Sequence, residues 1–237
     1  MAEALFIKPS LPGYAPRTMR QLLLPFDQRP DYSADNFWSN SGNALAQRWL
    51  ANPSGWTNGR LVLWGESGCG KTHLLHIWAD ANQAKILHGP HLRDVQEAPS
   101  CALAIDDADM PADEIAMLHL LNAAAEAGLP VLMTARLPPA RQTVRLPDLA
   151  SRLRASLAAE VRTPDDAALA IFLTRLAASR QLVLDIHVQN LLLSHLPRTP
   201  AALAEAIVRL DRAALANGGK ITRTLALSLI NDLRIID

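Results

Sequence analysis

The stretch Leu61 to His76 constrains this chain more than any other. It runs from an apolar segment, Leu61-Val62-Leu63-Trp64, through a glycine-spaced turn, Gly65-Glu66-Ser67-Gly68-Cys69-Gly70, into Lys71-Thr72-His73-Leu74-Leu75-His76 at the head of a helix. Residues 65–72 match the pattern G-x-x-x-x-G-K-[ST] without a mismatch, with the strand before and the helix after that the pattern requires. Glycines let the backbone turn until successive N–H groups point into one concavity, and the start of the next helix adds partial positive charge there. Such a concavity accepts phosphate. Lys71 supplies a charge for the outer phosphates and the Thr72 hydroxyl a ligand for Mg2+. The bland alternative is a glycine-rich turn between a strand and a helix; the match and its setting favour nucleotide binding.

A second apolar run, Cys101-Ala102-Leu103-Ala104-Ile105, ends in two carboxylates, Asp106 and Asp107. A strand buried on both faces reads this way, and ligands of open α/β sheets sit at the C-terminal ends of such strands. Asp106 is therefore expected to hold the metal through water and Asp107 to position an attacking water. A solvated acid pair in a loop is the competing reading.

The remaining elements fall on either side. The pattern predicts a helix over 33–52, with Ala44, Leu45, Trp49 and Leu50 on one face and Asn40 or Ser41 as cap. Strands are expected at Leu61–Trp64, Lys85–His88, within 101–107, at Leu129–Thr134 and at Leu157–Arg162, and helices from Lys71 to about Ala81 and over 111–126, the latter ended by Gly128. Arg136, Arg141, Arg145, Arg152 and Arg154 crowd a stretch with one acid, Asp148, which on charge alone is a solvated basic face. After Thr163-Pro164, expected to open a helix, only helical periodicity remains: about 165–179, 187–196, 200–216 and 222–234, with Asn217-Gly218-Gly219 closing the third. The expected domains are a flexible tail over 1–32, a nucleotide-binding α/β core over 33–162 and a small all-α lid over 163–237.

Charge and cysteines limit the rest. The 23 basic and 23 acidic residues cancel, so no global field draws the chain to nucleic acid or membrane. Cys69 and Cys101 have no metal-ligand spacing, and Cys69 lies inside the phosphate loop, which suits a reducing cytoplasm. No run approaches the ~18 apolar residues of a membrane helix. The first 20 residues, with Glu3, Pro9, Pro12 and Pro16, do not read as a secretory signal, and Met19 is a second candidate start.

One part of the tail is apolar: Gln21-Leu22-Leu23-Leu24-Pro25-Phe26. An exposed apolar hexapeptide is costly unless it docks. It either pads the chain's own sheet as an edge strand or is a short linear motif. It resembles the peptide that binds the bacterial sliding clamp, with Gln21, Leu24 and Phe26 in the defining places and Leu22 and Pro25 between them.

Gly70-Lys71-Thr72-His73-Leu74-Leu75-His76 resembles the phosphate loop of the replication initiator DnaA and its relatives among the AAA+ ATPases. Asn36-Phe37 with Asn43 is similar to that family's segment before the first strand, and Ile105-Asp106-Asp107 to its second acid motif. Leu146-Pro147-Asp148-Leu149-Ala150-Ser151-Arg152-Leu153 resembles the stretch carrying its arginine finger, and Leu196-Pro197-Arg198 the lid segment with its second sensor arginine. The likeness covers about residues 33–235. It implies an AAA+ core with a parallel five-stranded sheet and a helical lid. It implies ADP or ATP with Mg2+ as cofactors, held by Gly65 to His73 and Arg198, and Arg152 as the catalytic finger. The short tail, and an end at Asp237 soon after the lid in place of a DNA-binding helix-turn-helix domain, resemble the family's regulatory inactivator of the initiator. That implies DnaA and the sliding clamp as partners, no sequence-specific DNA binding of its own, and weak intrinsic turnover; homo-oligomerisation is left open. Arg136 stands where relatives carry an acid, which leaves its role open. A DnaA-related helicase loader and an autonomous ATPase are the competing functions. The tail peptide argues against the first, and the short acid Asp107 leaves the second open.

Overall fold

The structure, a computed structural model, describes residues 32–34, 37–93, 98–216 and 221–234. The peptide Gln21 to Phe26, Asn36 and Asn217-Gly218-Gly219 lie outside the described residues.

Five parallel strands, β1 (Arg60–Trp64), β2 (Lys85–His88), β3 (Leu103–Asp106), β4 (Val131–Ala135) and β5 (Leu157–Glu160), form one sheet in the order β2-β3-β4-β1-β5. The order places β1, with its phosphate loop, between β4 and β5: Leu61 pairs with Leu132 on one side and Leu157 on the other. Side chains alternate across a strand, so the two faces take different residues. Leu61, Leu63, Ala104 and Leu132 face one core with Leu74, Leu75 and Trp78 of α2 (Lys71–Asn82) and Ala46 of α1 (Ala44–Leu50). Val62, Leu103, Ile105, Val131 and Met133 face the other core, with Met117 and Leu121 of α3 (Glu114–Glu126) and Leu149 and Leu153 of α4 (Pro147–Arg154). Burial on both faces explains why these strands read as continuous apolar runs.

Four further helices, α5 (Asp166–Ser179), α6 (Ile186–His195), α7 (Pro200–Ala216) and α8 (Arg223–Arg234), enclose a third core around Leu173, Val188, Leu192, Ile207, Leu210 and Ile230. Their bounds match the expected helices within a residue or two. No helix among the described residues is long and apolar enough to cross a membrane.

Three local expectations change. The helix expected over 33–52 is confined to Ala44–Leu50. Asn40 and Asn43 side chains take hydrogen bonds from the Gly42 and Asn40 amides, at 2.8 and 3.0 Å, and so hold a turn where a helix would otherwise start. Within it Leu45 is exposed and Ala46 is the buried contact. In α3, Ile115, expected to be an apolar contact with Leu118, Leu120 and Leu121, is exposed, while Ala116, Met117, Leu120, Leu121 and Ala124 pack inward. The cap of α5 is Asp165, whose carboxylate accepts from the Ala168 amide at 2.8 Å, and not Thr163. A carboxylate at that position satisfies an orphan amide and also favours the positive end of the helix.

Candidate functional site

The phosphate loop leaves the C-terminal end of β1 at Gly65. A Cβ there would lie 2.2 Å from the Val161 carbonyl oxygen, and φ is +154°, so only glycine fits. Gly68 (φ +77°) and Gly70 (φ +106°) complete the turn into α2. Glu66 and Ser67 are exposed at its tip and Cys69 is buried beneath it. Lys71, only 8% exposed, donates from Nζ to the Gly65 and Glu66 carbonyl oxygens, both at 2.8 Å, and lies 3.8 Å from Cys69 Sγ. The cation is thus held under the loop by two of its carbonyls. Burial pushes the Cys69 thiol up from its ordinary pKa, against the opposing pull of Lys71, which keeps it an inert thiol.

The acid end of β3 meets this loop. Asp106, 6% exposed, receives the Thr72 hydroxyl at 3.1 Å (Oδ1) and 3.2 Å (Oδ2). Thr134 at the end of β4 donates its hydroxyl to Asp106 Oδ1 at 2.5 Å and accepts the Asp107 amide at 2.9 Å. The Thr72 hydroxyl and the Asp106 carboxylate form a hard, all-oxygen pair, the donor type Mg2+ takes when water and phosphate complete its shell. Asp107 follows with φ +50°, a left-handed conformation that turns its half-buried side chain away from the strand direction. Thr134 was not singled out in the sequence. A polar residue closing the apolar run 129–133 was the available signal.

His73 lies beside the loop but turns to the segment before α1. Its Nε2 is 2.8 Å from the Ser33 carbonyl oxygen, and its ring meets Tyr32 and Phe37 edge-on, with centroids at 5.6 and 5.1 Å. Tyr32 also stacks on His76 at 4.2 Å. Burial, then the negative charge of Asp106, pushes the Tyr32 phenol above its ordinary pKa, while burial pushes the His76 imidazole down. This aromatic group walls one side of the loop and was not foreseen.

Arg198 reaches neither Lys71 nor Asp106. It pairs with Asp166 at 3.1 Å, both side chains well exposed. Its neighbour Thr199 does approach the loop: a Cβ on Gly68 would lie 3.0 Å from the Thr199 side chain. The start of α7 therefore rests against the phosphate loop, with Arg198 one residue away. The Arg136 side chain is exposed, and its amide donates to Asp109 Oδ2 at 2.8 Å.

Arg152 sits at the other end of the sheet. It lies on α4, whose start is held by Glu114: that carboxylate accepts the Arg145 and Leu146 amides at 3.1 and 2.7 Å. Arg152 and Ser151 line a cavity of about 600 Å³ with Asn58, Gly59, Arg60, Gly128 and Leu129. Those residues precede the N-terminal ends of β1 and β4 or begin them, whereas the phosphate loop follows the C-terminal end of β1. Five residues of strand separate the two ends, roughly 16 Å at about 3.3 Å per residue. No ion pair joins Arg152 to Asp148 one turn away.

No family model matches the chain. An uncharacterized protein of Haemophilus influenzae is 27% identical over 229 residues, 90% of this chain and 99% of that protein. The chromosomal replication initiator protein DnaA of Corynebacterium jeikeium is 28% identical over 211 residues, 76% of this chain, and the chain spans about a third (36%) of that protein's length. Among solved structures, domain III of Thermotoga maritima DnaA superposes with a TM-score of 0.70 at 20% identity, covering 86% of this chain and 97% of that one. AMPPCP-bound DnaA from Aquifex aeolicus superposes at 0.65 and 17% identity, covering 78% and 66%. The fold is that of the DnaA-related AAA+ proteins.

Proposed function

We propose that this chain binds ADP or ATP with Mg2+ at the phosphate loop and regulates replication initiation by acting on DnaA. In this reading it resembles Hda, the regulatory inactivator. The tail peptide Gln21 to Phe26 docks on the sliding clamp, and Arg152 enters the nucleotide site of ATP-bound DnaA to promote hydrolysis there. Nucleotide binding is supported by the arrangement of Lys71, Thr72 and Asp106 around a glycine loop, and by the AMPPCP that A. aeolicus DnaA binds. Lys71 would neutralise outer phosphate, the amides of 65–72 would cradle it, and Thr72 and Asp106 would hold a Mg2+ ion that supplies further positive charge there.

The observation that carries the regulatory reading is the position of Arg152. It lies at the opposite end of the sheet from its own phosphate loop, with no carboxylate partner among the described residues, so its charge is available to serve another molecule's nucleotide. A guanidinium presents a planar fork that matches the oxygens of a departing phosphoryl group and never loses its charge. Intrinsic turnover is weak in this reading, because Asp107 is an acid one methylene shorter than glutamate. The test is reconstitution: ATP-loaded DnaA, sliding clamp on DNA and this chain, with phosphate release measured. Hydrolysis is expected to rise when all three are present. No rise over DnaA alone at saturating chain ends the proposal.

A further inference from the structure

Arg60, the first residue of β1, is 4% exposed, and no carboxylate among the described residues forms an ion pair with it or with Arg152. Its Nε donates to Ser156 Oγ at 3.2 Å, and the Ser156 hydroxyl in turn donates to the Arg152 carbonyl oxygen at 2.9 Å. One hydroxyl therefore ties the two arginines together. Asn58 adds a second tie, donating to the Ala155 carbonyl oxygen at 3.1 Å, so the loop before β1 grips the end of α4. Both arginines line the same cavity, whose wall has no acid among the described residues and includes Gly59 and Gly128.

This arrangement is costly as it stands. A buried charge without a counter-charge is unfavourable, and a like charge beside it adds to the cost. Burial and the neighbouring Arg152 both push the Arg60 pKa down, yet an arginine stays protonated at any physiological pH, so the pair cannot escape by losing a proton. Two guanidinium forks around an open cavity are relieved by an anion with several oxygens, which is the chemistry of a phosphate chain.

We propose that Arg60 is a positioning residue for Arg152, and that the two form one receiving site for the phosphate end of a nucleotide carried by a neighbouring AAA+ subunit. This rests on the reading of Arg152 as a finger acting in trans. Arg60 works in two ways. Through Ser156 it fixes the backbone from which Arg152 projects. Its charge also adds to that of Arg152 at the cavity they both line, so that phosphate oxygens there meet two cations.

The experiment has two arms. In the first, the full chain with excess ADP filling its own phosphate loop is melted with and without inorganic tripolyphosphate. Wild type is expected to gain melting temperature saturably, and Arg60→Met and Arg152→Met to gain little. Without the probe, Arg60→Met is expected to melt as high as wild type or higher, because it removes an uncompensated buried charge. A purely structural arginine would lower it. In the second arm, stimulation of DnaA hydrolysis is measured. Arg60→Met is expected to lose about ten- to a hundredfold, the weight of a charged hydrogen bond, while Arg60→Lys keeps more than Arg60→Met. If Arg152→Ala fails to stimulate but Arg60→Met stimulates fully, the Arg60 assignment falls and the finger stands. If Arg152→Ala itself stimulates normally, the finger reading falls, and the first arm still decides whether the cavity takes phosphate. A tripolyphosphate shift lost in Arg60→Met without loss of stimulation makes the source a free polyphosphate and overturns the partner assignment. An unchanged shift in Arg60→Met overturns the site.

Discussion

Thr134 and Ser156 sit at opposite ends of the sheet, and each hydroxyl makes two hydrogen bonds, one donated and one accepted. Thr134 donates to Asp106 and accepts from the Asp107 amide; Ser156 donates to the Arg152 carbonyl and accepts from Arg60. The surroundings differ. At the phosphate-loop end each central charge has a partner in the same chain: Lys71 has the loop carbonyls, and Asp106 has two hydroxyls. At the other end Arg60 and Arg152 line one cavity, and no carboxylate among the described residues pairs with either. The first end is organised to bind by itself. The second is organised to be completed from outside.

The sharpest break in that comparison is Arg152→Ala. A finger supplied to a partner's phosphoryl transfer is worth roughly 10³–10⁵ in rate. The variant is expected to bind ADP as wild type does and to lose stimulation of DnaA by about 10³ or more. A variant that stimulates normally would make the second end an ordinary basic surface, and Arg141, Arg145 and Arg154 would be the next to test.

Next in size is the tail. Replacing Gln21, Leu24 and Phe26 by Ala removes two apolar side chains worth roughly 3–6 kcal/mol of burial before ordering costs. Clamp binding is expected to vanish in a pull-down, and with it the high local concentration that brings Arg152 to its target. The melting temperature is expected to stay put. A large drop would show that the peptide pads the chain's own sheet, and the comparison would then need a third region.

Much of this was legible in the sequence, for physical reasons that vary by region. The central strands β1, β3 and β4 were, because each is apolar on both faces and bounded by turn residues. That Thr72 and Asp106 meet beside Lys71 was, because the glycine-spaced loop and an acid closing a buried strand both lie at the C-terminal edge of the sheet. The helix expected over 33–52 misled because Asn40 or Ser41 reads as its cap, whereas the Asn40 and Asn43 side chains hold a turn several residues inside it. Arg60 was invisible: beside Leu61 it reads as a charged residue before a strand, and only the fold brings Ser156 and Arg152 against it. The Tyr32, His73 and His76 group depends on tertiary contacts of the same kind.

Lys71→Ala attacks the self-sufficient end. Charge-assisted contacts contribute roughly 1.5–3 kcal/mol, so ADP affinity measured by calorimetry is expected to fall about ten- to a hundredfold. Binding of tripolyphosphate at the other end should not change. Equal ADP affinity in variant and wild type would refute the phosphate-loop assignment. Smaller still is Thr134→Val, which leaves Asp106 with one hydroxyl and the Asp107 amide without its acceptor. A loss of about 1–3 kcal/mol in unfolding free energy is expected by denaturant titration, with weaker Mg2+-dependence of nucleotide binding. No loss would mean that water replaces the hydroxyl without cost.

The smallest effect separates the ends by pH. Burial pushes the His76 imidazole below its ordinary pKa; the Asp106 and Asp80 carboxylates pull it up, and His88 and His73 push it further down. A base whose folded pKa lies below its unfolded value contributes stability that is complete above the unfolded value, about 6.5, and is lost as pH falls through the folded one. The sign follows from protons: on acidification the unfolded chain takes one up first. Wild type is therefore expected to lose melting temperature as pH falls below about 6.5, and His76→Gln to lose less. Arg60 and Arg152 stay charged throughout, so Arg60→Met should keep the wild-type pH slope. Its response should instead be to salt, because sodium chloride screens the repulsion between the two guanidinium groups in wild type and has nothing to screen in the variant. If Arg60→Met flattens the pH slope as His76→Gln does, the two ends of the sheet are coupled through the strands, and the division drawn between them fails.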